Sequence, residues 1–243
     1  MRPFLLLATR AEDTAAEEEY AAFLRFSGLQ PPQLVRHRLE QLPLGPVDLD
    51  DWSGIVLGGS PFNTSDPSAA KSSAQHRVER ELAGLLDEVV DRDFPFLGAC
   101  YGVGTLGVHQ GGVVDRTYGE PVGPAEVTLT PDGRADPLTG VLPERFEAFV
   151  GHKEAIRSLP DSATLLGSSP TCPVQAFRVR SNVYATQFHP ELDLDGIILR
   201  IHAYANYGYF AADEVDVTIA AVRRAPVSEP SRMLRTFVEL HAR

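Results

Sequence analysis

A cysteine flanked by small residues is the strongest chemical feature of this sequence. Gly98-Ala99-Cys100-Tyr101-Gly102 follows a short apolar run and precedes a predicted helix. Small residues two positions before and after a nucleophile permit the sharp strand-to-helix turn called a nucleophile elbow, which exposes the side chain at the sheet edge. A helix N-terminus there also favours the thiolate. Cys100 is therefore a candidate nucleophile, although a buried cysteine beside glycines is more often a small core residue.

A histidine and a carboxylate later in the chain supply what a thiol nucleophile needs. In Phe188-His189-Pro190-Glu191, His189 follows an alternating segment that predicts a strand. Histidine suits the transfer of a proton from a thiol to a leaving amine near neutral pH. Glu191, held two residues away by the stiff Pro190, is placed to bond the far ring nitrogen and fix the tautomer.

A glycine pair after an earlier predicted strand offers a third element. Attack on a carbonyl carbon places negative charge on its oxygen, which two backbone N–H groups stabilise. The amide of Tyr101, directly after the cysteine, and the amide of Gly59, in Leu57-Gly58-Gly59-Ser60, are the two candidates. A Gly-Gly strand end is commonly only a tight turn, so its interest depends on its position relative to Cys100 and His189.

Alternating strand and helix patterns must position these residues. Apolar runs predict strands at residues 3–9, 33–39, 53–57 and 94–99, and alternating runs predict further strands at 126–130, 164–167, 174–180 and 182–188. Thr14 and Glu17 form a capping-box pattern for a first helix, Ser72 and Ser73 precede a second, and Asp195 is the predicted cap of a late one. The order predicts an α/β doubly wound parallel sheet with antiparallel additions in its second half.

Composition favours one globular domain. The 243 residues suit a single α/β domain, which we divide into a core, 1–210, and a C-terminal extension, 211–243, with two short amphipathic helices. The formal net charge of −11 disfavours nucleic acid and anionic membrane surfaces as partners. Two cysteines, no signal-peptide core and no long apolar run favour a reduced, cytoplasmic protein.

In order and spacing, these motifs resemble those of the class I, triad-type glutamine amidotransferases. Gly58-Gly59 resembles the family's glycine turn, Cys100 lies in its cysteine elbow, and His189-Pro190-Glu191 matches its final motif. The stretch 168–191 is especially similar to stand-alone members related to the amidotransferase half of GMP synthase. The resemblance implies a flavodoxin-like fold and a triad of Cys100, His189 and Glu191 that hydrolyses glutamine through a γ-glutamyl thioester. It also implies no metal and no organic cofactor.

The sequence departs from the family in the substrate pocket. Gly104 stands where the family usually has a glutamine that helps hold the substrate, so we expect open space there. The family's His-x-Asp loop appears as His152-Lys153-Glu154, and Ser60-Pro61 replaces the usual proline after the glycine pair. Gly58, Gly104 and His152 are nevertheless the expected substrate contacts.

Three functions remain open from the sequence. The first is release of ammonia from glutamine, and the second is hydrolysis of larger γ-glutamyl amides or peptides by the same triad. The third is a catalytically silent regulatory subunit. The chain has no pyrophosphate-binding or Gly-x-x-x-x-Gly-Lys-Ser/Thr loop, so an ammonia-accepting synthetase would be a separate chain. The sequence leaves the oligomeric state open.

Overall fold

The computed structural model describes residues 1–205, 207 and 212–243, and in them a nine-stranded sheet forms the centre. Its strands and those of a small second sheet are β1 (Phe4–Ala8), β2 (Leu34–Arg38), β3 (Gly54–Leu57), β4 (Phe96–Ala99), β5 (Val113–Asp115), β6 (Glu120–Leu129), β7 (Arg145–His152), β8 (Ala155–Ser158), β9 (Ala163–Ser168), β10 (Ala176–Val179) and β11 (Val183–Thr186). The order in the large sheet is β2-β1-β3-β4-β11-β10-β9-β6-β7, and β5 pairs with β8 in the small one.

The first five strands in this order are parallel and form the flavodoxin-like core. Each of β1, β3, β4 and β11 is buried along its whole length, as expected of apolar runs in a sheet covered on both faces. The order β2-β1-β3-β4-β11 is that of the flavodoxin-like doubly wound fold. β4 lies between β3 and β11, with Leu57 and Ala185 both opposite Gly98. The ends of these three strands therefore meet at one sheet edge.

The second half of the sheet is antiparallel, which confirms the prediction. The pairings β11–β10, β10–β9, β9–β6 and β6–β7 are all antiparallel. The strand predicted at 126–130 is longer than expected and begins at Glu120. β5, β7 and β8 were not predicted, because their short or mixed segments lack a clear period of two.

Seven α-helices are found among the described residues. They are α1 (Asp13–Ser27), α2 (Ser73–Asp91), α3 (Tyr101–His109), α4 (Pro131–Ala135), α5 (Leu194–Ala203), α6 (Val215–Val222) and α7 (Arg232–His241). The Ser72 side chain caps α2, accepting a hydrogen bond from the amide of Gln75.

Two predicted caps are wrong. The N-cap of α1 is Glu12, which makes no side-chain capping bond, so Thr14 lies inside the helix and forms no capping box. For α5 the cap is Asp193, whose Oδ1 accepts a hydrogen bond from the amide of Gly196, whereas Asp195 lies in the first turn. Both helices begin two residues earlier than predicted: at α5 a second aspartate is the better placed cap, and α1 begins without a side-chain cap.

Part of the C-terminal extension packs on the core. Met233, Leu234 and Phe237 of α7 are buried in the same cluster as Phe4 and Phe23, and α6 packs beside α5 through Val222. The extension begins at 211, and residues 206 and 208–211 lie outside the described part of the chain. The one-domain description remains a prediction. Among the described helices, none has the length and apolar character needed to span a membrane.

Candidate active site

Cys100 lies at the turn between β4 and α3 in a strained backbone conformation. Its φ of 51° and ψ of −82° are unusual for a residue with a side chain. A Cβ on Gly98 would lie 2.7 Å from the Cα of Gly102, so the turn requires a glycine at 98. The predicted strand–turn–helix geometry is confirmed, and the thiol emerges at the edge where the parallel strands end.

His189 and Glu191 lie together just beyond the end of β11. The Glu191 carboxylate can only accept, so the ring Nδ1 of His189 donates to its Oε1, at 2.7 Å. His189 is 6% exposed and Glu191 is fully buried. The backbone amide of His189 donates to the carbonyl of Phe149 on β7, which fixes the segment. The bond from Nδ1 to Glu191 orients the ring. In a neutral ring the proton then lies on Nδ1, so Nε2 is the nitrogen that can accept one.

Cys100 and His189 line one cleft of about 440 Å³. Its wall combines aliphatic side chains with polar ones, among them Arg10, Arg200 and Tyr204. The two residues come from adjacent parallel strands, β4 and β11, whose ends lie side by side. The tertiary structure thus brings the predicted thiol and the predicted base to a single surface.

The glycine pair after β3 lies against this group. A Cβ on Gly59 would lie 2.5 Å from Cε1 of His189 and 2.6 Å from Nη2 of Arg10. A Cβ on Gly58 would lie 2.7 Å from Oε2 of Glu19. Both positions therefore need glycine for the close approach of other side chains. Gly58 faces Glu19, and neither glycine is among the described lining residues of the cleft.

Burial governs the protonation of the thiol and the imidazole. Burial raises the pKa of the Cys100 thiol to about 12, although the Arg10 charge acts in the opposite direction. Burial also lowers the pKa of His189, with Arg200 and Arg10 adding to the effect while Glu191 opposes it. Burial by itself would raise the pKa of Glu191, but the Arg200 charge and the hydrogen bond from His189 outweigh it and hold that pKa below its usual range. At neutral pH the site therefore holds a protonated thiol beside a neutral imidazole.

A second, narrower cleft of about 310 Å³ lies on the other side of Cys100. Gly104 lines it, but the expected open space is absent: a Cβ there would lie 2.7 Å from Oγ1 of Thr64 and 2.8 Å from Oε1 of Glu154. The Glu154 carboxylate accepts hydrogen bonds from the amides of Thr64 and Ser65 and from the Thr64 hydroxyl. The expectation is therefore wrong, because a carboxylate from another loop fills the space.

His152 lines the same cleft, and both of its ring nitrogens are already engaged. Nε2 lies 2.8 Å from Oε2 of Glu120, and Nδ1 lies 2.9 Å from the backbone carbonyl of Glu154. Cys172 completes a buried group with Glu120 and His152, in which the potential ligand atoms lie within 4.8 Å of one another. Burial raises the pKa of the Cys172 thiol to about 12, and its sulfur donates to the carbonyl of Val174.

Sequence reasoning missed the charged residues behind His189. Arg10 and Glu19, from the N-terminal region, and Arg200 on α5 are all buried. Arg10 and Glu19 lie in a segment that also contains exposed charges, so nothing local distinguishes them. The only signal was Arg200 within the otherwise apolar run Ile197-Ile198-Leu199-Arg200-Ile201.

Comparisons with known proteins agree with this architecture. The family model for class-I glutamine amidotransferases matches residues 34–196. One subunit of the glutamine-hydrolysing GMP synthase of Thermoplasma acidophilum is 30% identical over 148 residues, 60% of this chain and 66% of that polypeptide. The glutamine-hydrolysing GMP synthase of Porphyromonas gingivalis is 34% identical over 178 residues, which are 68% of this chain and 32% of that enzyme.

Solved structures show the same fold. A glutamine amidotransferase from Thermotoga maritima superposes with a TM-score of 0.75 at 22% identity and covers 99% of this chain and 98% of its own. A glutamine amidotransferase from Methylobacillus flagellatus gives a TM-score of 0.67 at 16% identity, covering 98% and 93%. At these identities the likeness establishes the fold alone.

Proposed function

Because the chain belongs to the class-I glutamine amidotransferase family, we propose that it hydrolyses the side-chain amide of glutamine through a thioester on Cys100. His189 is the base and acid of this reaction, and Glu191 orients it. The amides of Gly59 and Tyr101 stabilise the carbonyl oxygen during attack. Tyr101 is the first residue of α3, where backbone N–H groups have no acceptor within the helix.

The proposed reaction has two halves. The Cys100 sulfur attacks the amide carbon while its proton passes to Nε2 of His189, and the same proton then goes to the leaving nitrogen as the C–N bond breaks. Ammonia leaves, and a γ-glutamyl thioester remains. His189 next takes a proton from water, whose oxygen attacks the thioester, and the proton returns to sulfur as glutamate is released.

The observation that carries the proposal is the shared cleft of Cys100 and His189, with Oε1 of Glu191 2.7 Å from Nδ1 of the His189 ring. Because burial raises the pKa of the thiol to about 12, the sulfur needs a neighbouring base. A neutral His189 supplies one. A silent regulatory protein would have no chemical use for this arrangement.

A direct assay tests the proposal. Purified protein is incubated with glutamine and with a γ-glutamyl anilide, and released ammonia or aniline is measured. We expect turnover that Cys100→Ala abolishes and Cys172→Ala leaves intact. A glutamine-like diazoketone should label Cys100 stoichiometrically. Turnover of the anilide alone would identify a hydrolase of larger γ-glutamyl compounds, and absence of turnover with both would favour the regulatory role.

We further propose that the released ammonia serves a separate synthetase chain. The Thermoplasma acidophilum relative is named as one subunit of GMP synthase, and this chain spans only 32% of the Porphyromonas gingivalis enzyme that it matches. Ammonia appearing in bulk solution at the full rate of glutamate formation, even in the presence of cell extract, would argue against such a partner.

A further inference from the structure

A buried group of charged residues lies directly behind His189 and Glu191. Arg10 is 4% exposed, Arg200 is 5% exposed and Glu19 is fully buried. They come from three places in the chain: the segment after β1, helix α1 and helix α5. Burying charges is costly unless they are paired, so each of these buried charges should contact a group of opposite charge.

The contacts run in a chain from α1 to the candidate triad. Nε of Arg10 lies 2.7 Å from Oε1 of Glu19, and Nη2 of Arg200 lies 3.5 Å from that same oxygen. On its other side, Nη1 of Arg200 lies 3.0 Å from Oε1 of Glu191. Arg200 therefore shares with His189 the oxygen that fixes the imidazole tautomer.

The position of Arg200 disfavours a charge on His189. Its Nη1 lies only 3.1 Å from Nδ1 of His189, and because guanidinium does not lose its proton, both atoms are donors when Nδ1 bonds Glu191. A neutral ring tolerates this contact, whereas an imidazolium would face a like charge. With His189 neutral, Arg10 and Arg200 balance Glu19 and Glu191.

Further titratable groups surround His189 and the two arginines behind it. Cys100 lies across the cleft, and Tyr204 accepts a hydrogen bond from Nη1 of Arg10. Glu18 of α1 is 3.7 Å from Arg200 at the more exposed edge of the group. Burial raises the pKa of Glu18, which weakens its negative charge as the pH falls.

We propose that Arg200 is a positioning residue that holds His189 neutral and in register with Glu191, so that its Nε2 can accept the Cys100 proton. The proposal rests on the function proposed above. The burial and cationic neighbours that lower the pKa of His189 act in the same direction. Glu19 holds Arg200 in place through Oε1, which also pairs with Arg10.

The test separates charge from position. The protein is labelled with ¹³C-histidine, and the His189 signal is assigned by its absence in His189→Ala. The pH titration of this imidazole is then followed by NMR in wild type, Arg200→Gln and Arg200→Lys. A glutamine at position 200 keeps a donor toward Glu191 but carries no charge, so we expect the titration midpoint of His189 in Arg200→Gln at higher pH than in wild type. Lys keeps the charge, so its midpoint should stay near that of wild type. In Arg200→Gln, the ratio of kcat/KM at pH 6 to that at pH 8 should fall about tenfold, with little change in KM.

Further variants complete the test. Glu19→Gln removes a negative charge and should move the midpoint to lower pH, which tests the proposal even if Arg200→Gln does not fold. Arg25→Gln, at an exposed ion pair with Asp193, is the control and should change nothing. The proposal would be overturned if His189 titrated at the same pH in wild type, Arg200→Gln and Glu19→Gln. It would also be overturned if Arg200→Gln and Arg200→Lys shifted the His189 midpoint equally. Because the titration needs no turnover, an inactive wild type would refute the proposed function without deciding this inference.

Discussion

Removal of His189 and neutralisation of Glu191 should affect turnover unequally. His189→Ala removes the group that transfers the proton, so we expect kcat to fall by about 10³-fold. Glu191→Gln keeps an oxygen near Nδ1 but loses the charge, so the fall should be smaller. Steady-state ammonia release measures both. His202→Ala, at an exposed histidine of α5, is the control and should remain fully active; wild-type activity in His189→Ala would exclude this histidine from the mechanism.

Gly104 and Gly84 both lie in helices, but an added side chain would be crowded at Gly104 and unobstructed at Gly84. At Gly104 an added Cβ meets Thr64 and Glu154, whereas at Gly84 nothing lies within 4 Å. Gly104→Ala should therefore lower the free energy of unfolding by about 1–3 kcal/mol, and Gly84→Ala should raise it by about 0.5–1 kcal/mol. Urea denaturation measures both. Stabilisation by Gly104→Ala, or tighter substrate binding in Gly104→Gln, would mean that Glu154 does not fill this space.

At the scale of elements, the start of α5 matters because this helix carries Arg200. Asp193 caps the helix through Gly196 and also pairs with Arg25 at 2.6 Å. We expect Asp193→Ala to cost about 1 kcal/mol in the free energy of unfolding. Asp195→Ala is the matched control: Asp195 lies in the first turn, where its charge interacts favourably with the helix dipole, and its loss should cost about 0.3 kcal/mol. A larger loss of stability in Asp195→Ala than in Asp193→Ala, measured by thermal or urea unfolding, would show that Asp195 is the cap, as predicted from the sequence.

For the whole molecule, the packing of α7 ties the C-terminus to the core. Phe237 is 1% exposed, and its ring centroid lies 6.0 Å from that of Phe4 on β1. Phe237→Ala should therefore cost about 3–5 kcal/mol in the free energy of unfolding. Leu240, on the same helix but 46% exposed, is the control, and Leu240→Ala should change it by less than about 0.5 kcal/mol. Equal effects of the two variants in urea denaturation would show that α7 does not stabilise the core.

The parallel core and the three segments at its edge can be predicted from the sequence alone. Strands buried on both faces read as unbroken apolar runs, so β1, β3 and β4 are visible without tertiary information. The elbow around Cys100 and the short His189-Pro190-Glu191 motif are also local, since each depends on residues at most two positions apart. The elbow depends on steric contacts between neighbouring residues, and the His189–Glu191 hydrogen bond spans two residues. Neither requires contacts with distant parts of the chain.

The surroundings of those segments, in contrast, depend on how distant parts of the chain pack together. The space beside Gly104 depends on Glu154, 50 residues later, and the charges behind His189 come from α1 and α5. β7 lacks a clear period, yet its Phe149 carbonyl accepts the His189 amide. Contacts between distant segments depend on how helices and strands pack, and buried charges in the sequence look like exposed ones. Pairing and desolvation distinguish them, and both arise only when the chain is folded.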